Sequence, residues 1–176
     1  ASAPADEPPA RPTKVVNMNI DAPMTVHRET VHPDWIDYNG HMNVAYYLMA
    51  ADHAMEGFAE KIGVDESYMK ATNRSTFALD TRIIYVRELV VGAPLSVTAQ
   101  LIGYDKKRIH VCLALTHGEE GWLSALSEWV LVHVDLGARR SEPMPEKTLA
   151  MLEQIMAAHA NLPRPEALVR PFGLGK

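Results

Sequence analysis

Trp35-Ile36-Asp37-Tyr38-Asn39-Gly40-His41-Met42-Asn43 is the stretch that decides how this chain is read. It gathers an acid, a glycine, a histidine and two amide side chains into one turn. Directly after it, Val44, Tyr47, Leu48, Ala51, Met55, Phe58 and Ile62 recur at three- and four-residue spacing, the pattern of one long amphipathic helix that Gly63 closes. Asn43 then stands where an N-cap belongs, and Gly40 eases the chain's approach to it. The first N–H groups of a helix lack intrahelical acceptors, and the helix dipole favours negative charge at that end. The turn therefore has two readings, an ordinary cap or a place to hold a developing oxyanion.

Outward from this turn the chain alternates between strand and helix signals. Toward the N-terminus, Met24 to His32 carries partial apolar alternation and β-branched residues, which predicts a first strand ending at Pro33. Residues 1–22, with prolines at 4, 8, 9 and 12, have too little apolar content to offset their ordering entropy and are expected to form a mobile tail. Toward the C-terminus, Val64 to Arg74 is mixed and predicts a helical turn and loop, and Ser75 to Glu88 predicts a strand whose pattern slips enough to suggest a bulge. Leu95, Val97, Ala99 and Leu101 then alternate with polar residues, and so do Ile109, Val111, Leu113 and Leu115 after the Asp105-Lys106-Lys107 turn. Trp122 to Val134 is nearly all apolar, as in a strand covered on both faces, with Glu128 as an interruption. Glu146 to about His159 has helical composition, and 161–176 is a proline-punctuated extension. One domain over 23–160 follows, of α+β class, with the helix laid on a curved antiparallel sheet. Such a sheet leaves its edge strands open, and pairing them between copies makes a homodimer the expected unit, with two dimers able to associate further.

Composition narrows the function. At 176 residues the chain suits one core, and 47% hydrophobic with 22% charged residues is the balance of a folded globular domain. No apolar run approaches the roughly 20 residues that span a bilayer, and the opening residues lack the basic start and apolar run of a secretory signal, so a cytoplasmic location without membrane attachment is expected. The net charge of -5 argues against nucleic acid as a partner. A lone cysteine, Cys112, excludes an internal disulfide and any multi-thiolate zinc site, and its apolar surroundings suit a buried filler. His27, His32, His41 and His53 show no HxxxH or acid–histidine spacing on one face, so no metal is expected.

The run Asp37-Tyr38-Asn39-Gly40-His41-Met42-Asn43-Val44-Ala45-Tyr46-Tyr47, set between a first strand and a long helix and followed by antiparallel strands, resembles the hot-dog-fold acyl-CoA thioesterases of the 4-hydroxybenzoyl-CoA thioesterase type. The likeness covers roughly Thr25 to Asp135. The family pattern of Asp, two residues, Gly-His, a small apolar residue and Asn falls on Asp37, Gly40, His41, Met42 and Asn43, with the following aromatic at Tyr46 or Tyr47. With Trp35 in front, and Tyr85-Val86-Arg87-Glu88, Asp105-Lys106 and Ser127-Glu128 downstream, the chain is similar to the betainyl-CoA thioesterases of carnitine breakdown. These act on the thioester of a small trimethylammonium acid.

The resemblance implies a hot-dog fold, a long central helix wrapped by a curved antiparallel sheet, and hydrolysis of a short acyl-CoA to the free acid and CoA with no cofactor. It places the catalytic carboxylate at Asp37, as nucleophile toward the thioester carbonyl or as general base on water. The Val44 N–H would polarise that carbonyl, and Gly40 would admit the pantetheine arm. His41 and Asn43 would shape the loop and touch substrate. A trimethylammonium group has no hydrogen-bond donor and is received by aromatic faces, each contributing about 0.5–2 kcal/mol. Trp35, Tyr46, Tyr47, Trp122 and Trp129 are the available rings, with Trp35 and one tyrosine the favoured pair. Lys106, Lys107, Arg108, Arg139 and Arg140 are the candidates for the CoA phosphates. Asp52, Glu56 and Glu60, at helix positions where another hot-dog subclass carries its acid, are expected to be a solvated stripe or, for Asp52, a buried polar contact. Glu128 must be paired or protonated, either with an arginine or facing the acyl pocket. Three alternatives remain: a non-catalytic acyl-CoA-binding domain, a dehydratase, and a thioesterase for another short, medium or aromatic acyl group.

Overall fold

The computed structural model describes residues 20–165. Nearly all of the expected tail and the extension beyond residue 165 therefore lie outside the described residues. Of the tail, residues 20–22 are described, and they belong to the packed domain: Ile20 lies against the core, and the Asp21 carbonyl accepts a hydrogen bond from His159 Nε2.

In chain order the elements are β1 (Met24–Thr30), a short 3-10 turn (Pro33–Trp35), α1 (Val44–Ile62), α2 (Glu66–Thr72), β2 (Arg74–Tyr85), β3 (Pro94–Tyr104), β4 (Arg108–His117), β5 (Leu123–Asp135), β6 (Arg140–Ser141) and α3 (Glu146–His159). The sheet is antiparallel in the order β1-β3-β4-β5-β2, and β6 adds a short pairing to β5. This is the helix-on-curved-sheet α+β arrangement that the alternation signals predict. One difference lies in 64–74, where a complete short helix forms because Asp65 caps it and Asn73 ends it at a left-handed φ of 56°.

α1 buries Tyr47, Ala50, Ala51, Ala54, Met55, Phe58 and Ile62 against the sheet. Small residues on this face let the helix approach closely. At Gly57 the approach is closest, because a Cβ built there would stand 2.1 Å from the Val26 carbonyl oxygen. The sheet side of the core comes from the alternating residues Leu95, Val97, Ala99 and Leu101 of β3 and from Ile109, Val111, Leu113 and Leu115 of β4. Both edges carry a bulge, between Thr25 and His27 in β1 and between Ala78 and Asp80 in β2, which increases local twist and bends the sheet around the helix.

Candidate active site

The motif turn is a small hairpin. Ile36 and Met42 form an isolated antiparallel bridge, the Asp37 N–H donates to the His41 carbonyl at 3.0 Å, and the Gly40 N–H donates back to the Asp37 carbonyl at 3.0 Å. Gly40 sits at a φ of 81°, in the left-handed region where a side chain is strained, and a Cβ there would meet nothing within 4 Å. Within the chain, then, glycine is required by backbone conformation and not by crowding. Two further bonds anchor the hairpin: the Met42 N–H donates to the Leu89 carbonyl at 2.8 Å, and the Asn43 N–H donates to the Trp35 carbonyl at 2.8 Å.

The helix start is capped and open together. Asn43 Oδ1 accepts the Ala45 N–H at 3.0 Å, and the Asn43 carbonyl accepts the Tyr46 N–H at 3.0 Å. The Val44 N–H has no hydrogen-bond partner among the described residues, and Val44 is 59% exposed. This leaves a donor with the positive end of the helix dipole behind it. On the same hairpin the half-buried Asp37 carboxylate accepts one hydrogen bond, from the Asn39 N–H at 2.8 Å. The His41 ring forms no hydrogen bond among the described residues, so no Asp37–His41 relay is built.

The aromatic candidates separate by environment. Trp35 and Tyr46 stack with ring centroids 5.6 Å apart and planes 13° from parallel, which occupies one face of Trp35. Tyr47 is a core residue whose hydroxyl accepts the Leu89 N–H at 3.1 Å. Trp122 is engaged by the Arg87 guanidinium, 4.0 Å above its ring, and Trp129 is buried with its indole N–H on Ser127. Tyr85, which was not among the predicted rings, stands half-exposed at the end of β2 with its ring edge-on to Tyr47 and its hydroxyl donating to the Val44 carbonyl. Tyr38, in the hairpin tip, is 98% exposed.

Lys106 and Lys107 lie in the β3–β4 turn and Arg108 opens β4, whereas Arg139 precedes β6 and Arg140 opens it; the fold brings all five to one cavity of about 940 Å³. Phe77 and Leu79 of β2 supply part of its apolar lining. Arg108 is countered by Asp105 at 2.7 Å, and the two Asp105-directed backbone N–H groups with Arg108 hold that carboxyl down to about 2. Lys106, Lys107, Arg139 and Arg140 have no ion-pair partner among the described residues. The cavity does not include the Asp37 hairpin.

Glu128 is not paired with an arginine. Its partner is His110, with Nε2 2.7 Å from Oε1, on the sheet face opposite buried Ser127 and Trp129. Arg82 is its cross-strand neighbour on β2 but is not bonded to it. Cys112 is buried, and burial with the nearby Glu128 charge pushes its thiol up to about 12. Asp52, Glu56 and Glu60 are exposed along the rim of a second cavity between α1, α2 and β2. Of the four histidines considered for metal, His27 and His53 come together beside Glu29, an acid the sequence reading did not single out; His32 and His41 are not part of that group. No helix among the described residues is long and apolar enough to cross a membrane.

Comparison with known proteins shows what the chain as a whole is similar to. The family model described as the thioesterase-like superfamily matches residues 31–152. A betainyl-CoA thioesterase of Pseudomonas aeruginosa is 38% identical over 151 residues, covering 86% of this chain and 95% of that protein. An L-carnitine dehydrogenase/betainyl-CoA thioesterase of Rhizobium meliloti is 32% identical over 89% of this chain, which spans 32% of that longer protein. Among solved structures, the protein SAV2348 of Staphylococcus aureus in complex with CoA superposes with a TM-score of 0.77 at 28% identity, covering 90% of this chain and 100% of that one. A candidate thioesterase of Pseudomonas putida KT2440 gives a TM-score of 0.77 at 32% identity, covering 89% of this chain and 99% of that one.

Proposed function

The chain belongs to the thioesterase-like superfamily of hot-dog proteins, and from that membership we propose that it hydrolyses betainyl-CoA to betaine and CoA. The observation that carries the chemistry is the placement of the Asp37 carboxylate on the hairpin and, at the helix start directly after it, of a Val44 N–H that has no hydrogen-bond partner among the described residues. Carbonyl addition needs a nucleophile or an activated water on one side and a donor for the oxyanion on the other. Asp37 supplies the first, by direct attack or as base on water. Val44 supplies the second, and the dipole of α1 adds to it. Gly40 gives the pantetheine arm room, while His41 and Asn43 hold the loop and contact substrate.

The choice of acyl group rests on the likeness to betainyl-CoA thioesterases and on the rings gathered at the hairpin. In this reading Trp35 and Tyr46 receive the trimethylammonium group and half-exposed Tyr85 extends that wall, while Tyr47, buried in the core, supports the Tyr85 ring from behind. The CoA phosphates lie at the basic cavity, met by Lys106, Lys107, Arg139 and Arg140.

The working unit in this proposal is a homodimer joined through β2. That edge and the adjoining α1 start expose Val44, Leu48, Phe77, Leu79, Tyr85 and Val86, more apolar surface than a free sheet edge ordinarily keeps. Antiparallel pairing of two β2 edges would bring the Phe77 end, with its basic cavity, toward the Tyr85 end of the other copy. The nucleotide and acyl ends of one CoA thioester would then be held by two subunits.

A thiol-trapping assay of CoA release from betainyl-, acetyl-, butyryl-, octanoyl- and benzoyl-CoA tests the proposal. Betainyl-CoA is expected to give the highest kcat/KM. A higher value for another thioester would reassign the acyl group, and tight binding with no CoA release from any of them would favour a non-catalytic binding domain.

A further inference from the structure

We propose that His27, Glu29 and His53 form a binding site for one divalent transition-metal ion, of the kind zinc occupies, separate from the candidate active site. His27 and Glu29 are two apart on β1, so the two-residue period of a strand puts them on one face. Their Cα partners on β3 are Val97 and Leu95, both buried against α1, so this is the face turned to the helix. Met24, opposite buried Ala99, also points there; the odd spacing from Met24 to His27 is absorbed by the bulge after Thr25. The bulge therefore aims the histidine at the helix.

The helix meets it there. His53 lies one turn before Gly57, on the same side of α1, where the absent Cβ lets the helix settle against Val26. As a result one carboxylate oxygen, Glu29 Oε2, stands 3.4 Å from His27 Nε2 and 3.3 Å from His53 Nδ1. All three ligand atoms lie within 4.8 Å of one another. Tetrahedral coordination at metal–ligand distances of about 2.0–2.1 Å separates neighbouring ligand atoms by about 3.3 Å, close to the two spacings found.

The state of the remaining atoms points the same way. Among the described residues, His27 Nε2 and Glu29 Oε1 are the buried side-chain polar atoms without a hydrogen-bond partner. Two unsatisfied polar atoms in one cluster carry a desolvation cost that a shared cation removes. Two imidazoles and one carboxylate are also a donor set suited to zinc and its first-row neighbours. His53 is 40% exposed, so the remaining coordination position opens to solvent. His53 lies nine helical steps beyond Val44, roughly 13 Å along the axis, which keeps the ion away from the Asp37 hairpin. Its effect in this arrangement is to fasten the edge strand β1 to the middle of α1.

The test uses the full chain after chelator treatment. Titration with Co²⁺, read by visible absorption, is expected to saturate at one ion per chain, and Zn²⁺ is expected to displace it and raise Tm. His53→Gln and Glu29→Gln, each checked for an unchanged far-UV spectrum, are expected to bind at least about tenfold more weakly, while His117→Gln titrates as the parent does. Absence of stoichiometric binding in the parent chain, or equal affinity in the His53→Gln and Glu29→Gln variants, would overturn the site and leave a plain His–Glu–His contact. None of these readouts depends on thioester hydrolysis.

Discussion

The Tyr85 hydroxyl donates to the Val44 carbonyl at 3.1 Å, so the last residue of β2 is fastened to the first residue of α1. Burial, with a further contribution from Tyr47, raises the Tyr85 pKa above that of an ordinary phenol, which is itself protonated and able to donate at neutral pH. Tyr85→Phe removes one half-exposed hydrogen bond, worth about 0.5–1.5 kcal/mol at most. Its larger expected effect is on positioning: kcat/KM should fall about three- to tenfold while Tm moves little. Steady-state kinetics beside a thermal melt separates the two, and unchanged kinetics would remove Tyr85 from the site.

At Gly40 the left-handed φ of 81° and the empty space around a built Cβ separate conformation from crowding. Gly40→Ala should destabilise the protein by roughly 1–2 kcal/mol, and Gly40→Asn by less, because Asn tolerates this region better. Denaturant unfolding of both variants checks the order. Equal losses would mean that something other than φ restricts the position.

Gly57 is the opposite case, with an unexceptional φ and no room. A methyl group there collides with the Val26 backbone oxygen, which cannot rotate away, so Gly57→Ala should cost about 1–3 kcal/mol or more by forcing α1 and β1 apart. Urea unfolding measures this. A neutral outcome would show that the helix can shift without loss and would weaken the geometry on which the His53 contact depends.

Much of this was legible in the sequence, for physical reasons. The α1 stripe and the β3 and β4 alternations repeat over many residues, and Asn43 and Gly63 have cap chemistry that depends only on their neighbours. The β2 irregularity was also visible as a slipped pattern, and it proves to be a bulge between Ala78 and Asp80. What the sequence did not reveal depends on register. Glu128 was expected beside an arginine or the acyl pocket, yet its partner His110 is its diagonal neighbour across β4 and β5, a relation fixed only when Cys112 is known to sit opposite Glu128. The Tyr85–Val44 bond spans 41 residues and the His53–Glu29 contact spans 24, and no local period signals either. The two basic turns likewise meet through long-range pairing, with β6 folded back on β5 and the Lys107 and Lys106 carbonyls accepting from the His133 and Met144 N–H groups.

His159 offers a pH test of the packing of α3. It is buried, with Nδ1 accepting the Leu101 N–H at 3.0 Å and Nε2 donating to the Asp21 carbonyl, and burial lowers its pKa from the ordinary 6.5. Between the lowered folded value and the unfolded value the unfolded chain binds more protons, so stability rises with pH there. The contribution is fully present above the unfolded value and is lost as pH falls through the folded one. His159→Gln should therefore be less stable than the parent at pH about 7.5, and the gap should narrow at pH about 5. A gap that widens on acidification would contradict this account of His159.

The most direct test of the central claim is the rate of CoA release from betainyl-CoA by Asp37→Asn beside the parent protein, at equal concentration and with matched circular dichroism spectra. Asparagine keeps the shape of the side chain and can still accept the Asn39 N–H, so the hairpin should persist while the charge that attacks or activates water is lost. The expected result is a fall in kcat of at least about 100-fold, the lower end of what removing a positioned acid–base group costs, with a smaller change in KM. Full activity in a folded Asp37→Asn protein would contradict the assignment of Asp37 as the reacting carboxylate.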